Sequence, residues 1–458
     1  MADGEFDVLV LGAGSGGYAC ALRAAQLGLS VGLVEKGNLG GTCLHVGCIP
    51  TKALLHAAEV ADSARDAARF GVTATLDGID MAGVNSYKDK VVDRLFKGLT
   101  GLVKSRGITV IQGTGTLTGP REVTVDGTAY TGRSVVLASG SYSKSLPGLD
   151  VDGEKVITSE HALRLDRVPA SVIVLGGGVI GCEFASVWRS FGAEVTIVEA
   201  LPRLVAAEDE ASSKALERAF RKRGIAFHTG TPFQSVKTTD TGVAVTVEGG
   251  DVLEAEVLLV AVGRGPSTDG LGYAEQGIAM ERGFVLTDER CRTNVDGVYA
   301  VGDIVPGLQL AHRGFQQGIF VAEEIAGLDP RPVDESGIPR VTYSHPEIAS
   351  VGLDEARARE LHGDAVTTVT YDLGGNGKSQ ILQTQGFVKL VGLADGPVLG
   401  VHMVGDRVGE LIGEAQLIYN WEAHAEDVAP LVHAHPTQNE ALGEAHLALA
   451  GKPLHAHS

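Results

Sequence analysis

Residues 6–17 read FDVLVLGAGSGG, an apolar run that passes directly into a cluster of glycines. The run predicts a short buried strand, and the Ala-rich segment after the glycines predicts a helix that ends near Leu27. Residues 30–35 predict a second strand that ends in an acidic residue. A strand, GxGxxG, helix, strand and acid within about 30 residues are typical of a dinucleotide-binding βαβ unit, so we expect a Rossmann-like α/β fold.

Four residues of this unit have predicted roles at a bound dinucleotide. Gly12 makes the turn after the strand, Gly14 lets the backbone approach a pyrophosphate, and Gly17 permits close packing of the helix. Glu35 is placed to accept hydrogen bonds from the hydroxyls of a ribose. The surrounding strands, helix and acid make this motif a stronger signal than its glycines alone.

The same pattern returns at residues 171–199. A strand is predicted over residues 171–175, a second glycine motif and a helix follow, and residues 194–199 predict the next strand. The cofactor-binding glycines of this copy are Gly176, Gly178 and Gly181. Because neither copy has lost a motif residue, the sequence predicts two dinucleotides.

Glu199, which ends the second strand of this copy, predicts which coenzyme binds there. A carboxylate favours the free 2′-hydroxyl of NAD and repels the 2′-phosphate of NADP. Arg203 is the nearest cation, and we interpret it as a surface or pyrophosphate-adjacent residue rather than as one that selects NADP. The second copy is therefore predicted to bind NAD.

Residues 40–52, GGTCLHVGCIPTK, contain two cysteines among glycines. A helix is predicted after Pro50, which places Cys48 at a helix N-terminus. The unsatisfied N–H groups and the dipole at such an end lower a thiol pKa, so Cys48 is the predicted thiolate. Cys43, farther out on the glycine-rich loop, is the better candidate for attack by an external thiol.

Two neighbouring cysteines could instead bind a metal or be inert. No second CxxC or nearby histidine pair completes a structural zinc site, so no metal is predicted. We favour a redox-active disulfide that cycles with substrate. The other cysteines are interpreted as small buried apolar residues: Cys20, Cys182 and Cys291.

Composition argues against several classes of function. The chain has 458 residues and a formal net charge of −19, which argues against a nucleic-acid or anionic-membrane partner. No apolar run reaches membrane-spanning length, and the N-terminus lacks the basic region of a signal peptide. The chain also has only five cysteines, as is usual in a reducing compartment where structural disulfides are rare. We therefore expect a cytoplasmic location.

Further strands are predicted to end at glycines downstream of each fingerprint. One covers residues 135–141 and includes Gly140, and another covers residues 257–264; each is predicted to close one nucleotide-binding sheet. Residues 293–303 predict a strand that ends in a Gly-Asp pair. Asp303 of that pair could hold a polyol or could be an ordinary turn residue.

From about residue 340, alternating strands with two helices predict an α+β unit without a phosphate loop. Near its end, a proline turn and a threonine separate His435 from Glu440. Such a turn can fold the carboxylate onto one imidazole nitrogen and make the other nitrogen a base. A histidine-rich surface turn is the alternative that these residues alone leave open.

With these motifs, the chain resembles the class I pyridine nucleotide-disulfide oxidoreductases over essentially its whole length, and among them the lipoamide-oxidising members. Four segments carry the resemblance: residues 40–52 resemble the redox-disulfide signature, residues 302–312 the second FAD motif, residues 176–183 the NAD fingerprint, and residues 435–440 the catalytic dyad.

The resemblance implies FAD on the first fingerprint, NAD on the second, and a homodimer in which the dyad reaches the active site of the partner subunit. It implies that Cys43 exchanges with substrate, that Cys48 is the charge-transfer thiolate and that His435 is the base. Lys52 matches the lysine beside the flavin, and Glu183 matches its ion-pair partner. Other positions that match cofactor-contacting stretches are Gly115 and Ala311 at FAD, and Val236, Ala261 and Gly263 at NAD.

The implied domain order is an FAD-binding domain over residues 1–147 and 269–338, an NAD-binding domain over residues 148–268 and an interface domain over residues 339–458. The implied activity is oxidation of protein-bound dihydrolipoyl groups by NAD. The implied partners are the lipoyl domains of 2-oxo acid dehydrogenase complexes or of the glycine cleavage system.

Other activities of the family are less well matched. The nearest alternative is a reductase that uses NAD(P)H on a small disulfide such as glutathione or mycothione. Glu199 and the form of the cysteine segment at residues 42–44 and 49–51 argue against it. A mercuric-ion reductase is disfavoured because residues 451–458 lack a cysteine pair. A non-enzymatic flavoprotein should have lost a cysteine or the dyad, and both are present.

The chain departs from the family pattern at a few positions. His45 stands where an asparagine is common, Ser139 replaces a threonine, and residues 438–439 vary inside the dyad segment. His45 is either a spacer in its loop or an imidazole that tunes the pKa values of the two cysteines.

Overall fold

The computed structural model describes residues 4–455. Residues 1–3 and 456–458 lie outside the described residues. The signal-peptide expectation rests on the first of these segments, and part of the argument against a C-terminal cysteine pair rests on the second.

The strands, numbered in chain order, are β1 Glu5–Leu11, β2 Val31–Glu35, β3 Thr109–Gln112, β4 Gly115–Gly119, β5 Glu122–Val125, β6 Thr128–Leu137, β7 Ser141–Ser143, β8 Val156–Thr158, β9 Ser171–Leu175, β10 Glu194–Val198, β11 Ile225–His228, β12 Phe233–Thr238, β13 Val243–Val247, β14 Val252–Ala255, β15 Val257–Val260, β16 Arg264–Pro266, β17 Met280–Glu281, β18 Phe284–Val285, β19 Val298–Ala300, β20 Arg340–Thr342, β21 Glu347–Gly352, β22 Val366–Asp372, β23 Phe387–Leu393 and β24 Val398–Gly405.

The α-helices are α1 Ser15–Gln26, α2 Gly41–His45, α3 Cys48–Asp66, α4 Met81–Ser105, α5 Ser159–Ala162, α6 Val179–Phe191, α7 Glu210–Arg223, α8 Ala311–Ile325, α9 Glu355–His362, α10 Gly377–Leu382, α11 Val408–Asn420, α12 Ala425–Val428 and α13 Glu440–Leu449. Short 3₁₀ helices cover Ala67–Phe70, Gly302–Ile304, Gly363–Ala365 and Leu373–Gly375. None of the helices within residues 4–455 has the length and apolarity needed to cross a membrane.

The first of two structural units comprises residues 1–54, 80–144 and 263–335. Its sheet has the parallel order β3-β2-β1-β6 with β19 also beside β6, and β5 and β4 extend it in antiparallel pairing. The end of β1 is buried without alternation, as expected of a parallel strand covered on both faces. Helices α1 and α8 touch backbone to backbone, because a Cβ on Gly318 would lie 2.2 Å from the Gly16 carbonyl oxygen.

The second unit comprises residues 55–79, 145–262 and 336–458. It contains a parallel sheet in the order β11-β10-β9-β15-β8, which repeats the arrangement of the first unit's parallel strands. An antiparallel ribbon, β12-β13-β14, is inserted before β15. The strand topology therefore confirms the prediction of two dinucleotide-binding folds.

Two predicted strands are shorter in the structure than in the sequence analysis. The strand predicted over residues 135–141 ends at Leu137, and the one predicted over residues 257–264 ends at Val260. Each is followed by a glycine in the left-handed region, with φ of +79° at Gly140 and +106° at Gly263. That conformation ends a strand.

The C-terminal region of the second unit is an antiparallel sheet in the order β20-β21-β24-β23-β22. Its core packs β23 and β24 against α11 and α13 through buried apolar residues. The α+β prediction is confirmed, but the expectation of two helices is wrong, since the structure has α9 to α13. Three of these have eight residues or fewer and are too short for a clear periodic pattern.

Candidate active site

The first fingerprint forms a turn that only glycine can make. Gly12 has φ of +105°, and a Cβ there would lie 2.3 Å from the carbonyl oxygen of Ala138. A Cβ on Gly17 would lie 1.8 Å from the carbonyl oxygen of Gly12, which explains the close packing of α1. At Gly14 a Cβ would meet no protein atom within 4 Å, so this face is open to a pyrophosphate at the start of α1.

The second fingerprint repeats these constraints. Gly176 has φ of +109°, and its Cβ would lie 2.3 Å from the carbonyl oxygen of Ala261. A Cβ on Gly181 would lie 1.9 Å from the Gly176 carbonyl oxygen, whereas one on Gly178 would meet no protein atom within 4 Å. The residues present fit a second dinucleotide in the same way.

The acids at the strand ends are held identically in the two copies. Glu35 accepts hydrogen bonds from the N–H of Ala13 at 2.8 Å and from the N–H of Gly37 at 2.8 Å. Glu199 accepts them from the N–H of Gly177 at 2.6 Å and from the N–H of Leu201 at 2.7 Å. Both carboxylates are thereby fixed beside the glycine turn, where an adenosine ribose would lie.

Asp303 lies in the short 3₁₀ helix before α8, which begins at Ala311. Its carboxylate accepts a hydrogen bond from the Ser141 hydroxyl at 2.5 Å. Arg264 Nε in turn donates to that hydroxyl at 2.8 Å, and its Nη2 donates to the Ser141 carbonyl at 2.8 Å. The roles of Ser141 and Arg264 could not be identified from the sequence, because their contact follows from the pairing of β7 with β16 and no local motif marks it.

Other sequence-predicted cofactor positions are distributed over both units. Gly115 opens β4, where a Cβ would lie 2.5 Å from Leu11 Cδ1, so packing alone explains this glycine. Val236 lies in β12, opposite Val245 of β13. Arg203 donates from Nη2 to the carbonyl oxygens of Ala206 and Glu208, so its guanidinium is engaged within its own loop.

Cys43 and Cys48 are brought together at the start of α3. Cys48 is the first residue of that helix, whereas Cys43 lies in the five-residue helix α2 rather than in the loop that was predicted. The loop prediction was wrong because Gly40 and Gly41, both at positive φ, lead directly into a helical turn. The two thiols are within hydrogen-bonding contact, so this pair can form a disulfide.

The surroundings of Cys43 change the pKa of its thiol. The hydrogen bond with Cys48, followed by burial, raises the pKa of Cys43 well above that of an ordinary thiol, and the charge of Lys52 opposes this shift only partly. Both the hydrogen bond with Cys48 and burial therefore disfavour the thiolate form of Cys43.

His45 serves to anchor its turn. Its Nε2 lies 2.8 Å from the Leu39 carbonyl oxygen, and its ring packs edge-on against Phe96 of α4 with centroids 5.3 Å apart. The pKa shift of Cys43 arises from Cys48, burial and Lys52. These contacts favour the spacer interpretation of His45.

His435 lies in the loop that precedes α13 and forms a hydrogen-bonded pair with Glu440, the first residue of that helix. His435 Nδ1 lies 2.7 Å from Glu440 Oε1, and the N–H of Thr437 donates to Glu440 Oε2 at 2.7 Å. Although partial burial opposes ionisation, the bonds from Thr437 and His435 hold the pKa of Glu440 below its usual value. The imidazole is 77% exposed, so it can reach a group outside this chain.

Lys52 and Glu183 occupy different structural units. Lys52 lies in α3 one turn after Cys48, and Glu183 is buried in α6, where it accepts a hydrogen bond from the N–H of Tyr343 at 3.0 Å. Their pairing remains a prediction. The interpretation of Cys20, Cys182 and Cys291 as buried apolar residues is confirmed, and burial raises the pKa of Cys20 and of Cys291 to about 12.

Comparison with known proteins places these features in a family. Residues 6–318 match the pyridine nucleotide-disulphide oxidoreductase family, and residues 338–446 match its dimerisation domain. A dihydrolipoyl dehydrogenase of Bacillus subtilis is 41% identical over 471 residues, covering 98% of this chain and 99% of its own. A mitochondrial dihydrolipoyl dehydrogenase of Pisum sativum is 40% identical, covering 98% and 93%.

A solved structure shows the same architecture. LpdA of Mycobacterium tuberculosis superimposes with a TM-score of 0.90 at 27% identity, covering 96% of this chain and 99% of its own.

Proposed function

This chain belongs to the pyridine nucleotide-disulphide oxidoreductase family, and on that premise we propose that it oxidises protein-bound dihydrolipoyl groups to lipoyl groups with NAD as the electron acceptor. One observation carries the proposal: two thiols in hydrogen-bonding contact at the start of α3, in a chain about 40% identical over its whole length to dihydrolipoyl dehydrogenases. The enzyme is a flavoprotein that uses FAD and NAD.

The thiol chemistry balances within the substrate and this cysteine pair. One substrate thiolate attacks Cys43 Sγ, the Cys43–Cys48 bond breaks, and Cys48 leaves as a thiolate. The second substrate thiolate then attacks the substrate sulfur of the mixed disulfide, forms the lipoyl disulfide and releases Cys43. The substrate has lost two electrons and two protons. The cysteine pair has gained the two electrons and one proton, which is carried by Cys43, and the other proton goes to the base.

His435 of the partner subunit accepts the first substrate proton in this proposal. The hydrogen bond to Glu440 supports it, because a carboxylate on Nδ1 fixes the tautomer with a bare Nε2 and stabilises the imidazolium that forms. The exposure of His435 supports a role toward a second subunit, as does the match of this region to the dimerisation domain. The enzyme forms a homodimer.

The cofactors supply the electron transfer from the cysteine pair to the nicotinamide. We assign FAD to the first fingerprint, with Gly14 at its pyrophosphate, Glu35 at its ribose and Asp303 at its polyol. We assign NAD to the second, with Glu199 at its ribose. Lys52 and Glu183 are proposed to pair beside the flavin and nicotinamide rings.

The cellular context is also part of the proposal. The partners are lipoyl domains of 2-oxo acid dehydrogenase complexes or of the glycine cleavage system. A cytoplasmic location agrees with a chain whose five cysteines include three buried free thiols. We propose the FAD, NAD and interface domains at the boundaries stated for the sequence.

The test is steady-state oxidation of dihydrolipoamide by the purified protein with NAD and, separately, with NADP. We expect turnover with NAD, accompanied by a flavin spectrum that gains a long-wavelength band on reduction. Reduction of glutathione disulfide or mycothione disulfide by NADH or NADPH, without dihydrolipoamide turnover, would instead establish the small-disulfide alternative.

A further inference from the structure

The loop that carries His435 and Glu440 is held at both of its ends by one side chain. This dyad loop, residues 433–440, begins at His433, whose Nε2 lies 2.8 Å from Glu414 Oε1. It ends next to Asn439, whose Nδ2 donates to Glu414 Oε2. A single carboxylate on α11 thus bridges the residues that bracket the proposed base and its partner.

The two histidines of this loop have opposite environments. The side chain of His433 is 11% exposed, whereas that of His435 is 77% exposed. His433 is also confined on its other side, because a Cβ on Gly443 of α13 would lie 2.6 Å from His433 Nδ1. His433 is therefore a buried anchor, and His435 is the group presented outward.

Two weaker attachments hold the middle of the dyad loop. Asn376 Nδ2 donates to the Thr437 carbonyl at 2.9 Å, and Gln438 Nε2 donates to the Asp406 carbonyl at 2.9 Å. The Glu414 contacts join the two ends of the loop directly. They involve charged or ionisable groups, which form the stronger class of hydrogen bond.

We propose that Glu414 is a positioning residue for thiol oxidation: by clamping His433 and Asn439 it holds the His435–Glu440 pair in the geometry in which His435 accepts the substrate proton. This inference rests on the proposed function. Glu414 itself touches neither substrate nor cofactor in this scheme. Its effect on rate passes through the placement of the imidazole, where an error of about 1 Å costs on the order of 100-fold in rate.

The first test compares Glu414→Ala, which removes both contacts, with Glu414→Gln, whose amide can still bridge both residues. We expect Glu414→Ala to lower kcat for dihydrolipoamide about 10- to 100-fold with little change in KM, and Glu414→Gln to restore most of the loss. Glu410→Ala, an exposed acid on the same helix, is the matched control and should match the unaltered enzyme. Equal rates in Glu414→Ala and the control would overturn the proposal.

A second readout separates positioning from loss of structure. Ferricyanide reduction by NADH needs the bound cofactors but no proton transfer from a substrate thiol, so it should stay within about two-fold in Glu414→Ala, with dimer and FAD content unchanged. An equal fall in both activities would assign Glu414 a structural role only. If Glu414→Ala does not fold, Asn439→Ala, which removes one of the two contacts, provides the same comparison.

A double mutant asks whether Glu414 acts through His435. In a His435→Gln background, adding Glu414→Ala should lower dihydrolipoamide turnover by less than about two-fold, since the group it positions is already lost. Full additivity would show that Glu414 acts elsewhere.

Gly443→Ala tests the same anchor from the other side of His433. Alanine favours the helix by about 1 kcal/mol, yet its methyl group must displace the His433 ring. We expect thiol oxidation to fall while ferricyanide reduction is retained, and unaltered thiol oxidation would argue against the anchor. The activity of the unaltered enzyme distinguishes failure of the two proposals. If the unaltered enzyme does not oxidise dihydrolipoamide, the proposed function is wrong. If it does and the Glu414 variants oxidise dihydrolipoamide at the same rate, only the role of Glu414 is wrong.

Discussion

His435 Nδ1 and Glu440 Oε1 lie 2.7 Å apart, although a cis His435–Pro436 peptide and an intervening turn separate the two residues along the chain. The second carboxylate oxygen of Glu440 is occupied by the N–H of Thr437 at 2.7 Å. The carboxylate is thus aimed at one imidazole nitrogen only. This arrangement orients a base without blocking its outward nitrogen.

Replacing His435 by Gln should lower dihydrolipoamide turnover about 10²- to 10⁴-fold, the range for a general base. Glu440→Gln should have a smaller effect, because the imidazole remains and only its orientation and charge stabilisation are lost. Stopped-flow reduction by dihydrolipoamide and ferricyanide reduction by NADH distinguish the steps, and only the first should slow. A near-normal rate in His435→Gln would remove it as the base.

The thiol pair leads to a second prediction. Cys43→Ser and Cys48→Ser should both abolish dihydrolipoamide turnover and leave FAD bound, with Cys182→Ser as a buried control of unchanged activity. Cys48→Ala should also lower the pKa of Cys43, because the hydrogen bond that the Cys43 thiol donates to the Cys48 sulfur is the largest cause of its elevation. The pH profile of Cys43 alkylation by iodoacetamide, read by mass spectrometry, measures this shift. Loss of flavin from either serine variant would contradict a purely catalytic role.

Features encoded within a short segment could be predicted from the sequence. The two glycine turns and their acids lie within single βαβ units, so spacing alone locates Glu35 and Glu199. The contact of Arg264 with Ser141 could not be predicted in this way, because it depends on the pairing of β7 with β16 across more than one hundred residues. The bridge from Glu414 to His433 and Asn439 was missed for the same reason, since it depends on the packing of α11 against the dyad loop.

Coenzyme choice provides a third prediction. Glu199→Ala removes the carboxylate directly after β10, so the ratio of kcat/KM for NAD to that for NADP should fall about 10- to 100-fold, equivalent to about 1.4–2.8 kcal/mol. Glu35→Ala is the matched control, because it makes the same change in the first fingerprint. It should weaken FAD retention and leave the coenzyme ratio unaltered. An unchanged ratio in Glu199→Ala would argue against the ribose contact.

The stability of the protein should depend on pH through Glu347. Burial raises the pKa of Glu347 to about 7, although the N–H of Gly409 donates to its carboxylate at 2.8 Å and opposes the shift. A carboxyl with a raised pKa in the folded state contributes stability below its unfolded pKa and loses it as the pH rises through about 7.

Glu347→Gln should therefore be more stable than the unaltered enzyme at pH 9, by on the order of 2 kcal/mol, and should differ little from it at pH 5. Thermal unfolding at the two pH values measures the difference. Glu426→Gln, at an exposed position of α12, is the control. An equal shift in Tm at both pH values would show that the effect is not titration of Glu347.

A buried ion pair in the second unit provides the last prediction. Lys389 Nζ of β23 lies 2.9 Å from each carboxylate oxygen of Asp209 and 2.8 Å from Glu355. The side chains of Lys389 and Asp209 are 9% and 2% exposed. Burial opposes ionisation of Asp209, but the hydrogen bond to Lys389 holds the pKa of Asp209 below its usual value. The ionised carboxylate therefore stabilises the fold at neutral pH, and this stabilisation is lost as the pH falls through the lowered pKa.

Removing one partner of such a pair leaves a buried charge uncompensated, so Lys389→Met should destabilise the fold by about 3–5 kcal/mol. Asp209 also caps α7 by accepting a hydrogen bond from the N–H of Ala211 at 2.9 Å. An asparagine can keep that cap, and the double variant Lys389→Met with Asp209→Asn should therefore recover much of the loss, because it removes the stranded charge and retains the helix start. Urea unfolding of the unaltered enzyme and of these two variants measures the difference. A double variant no more stable than Lys389→Met would mean that Lys389 acts through its packing rather than through its charge.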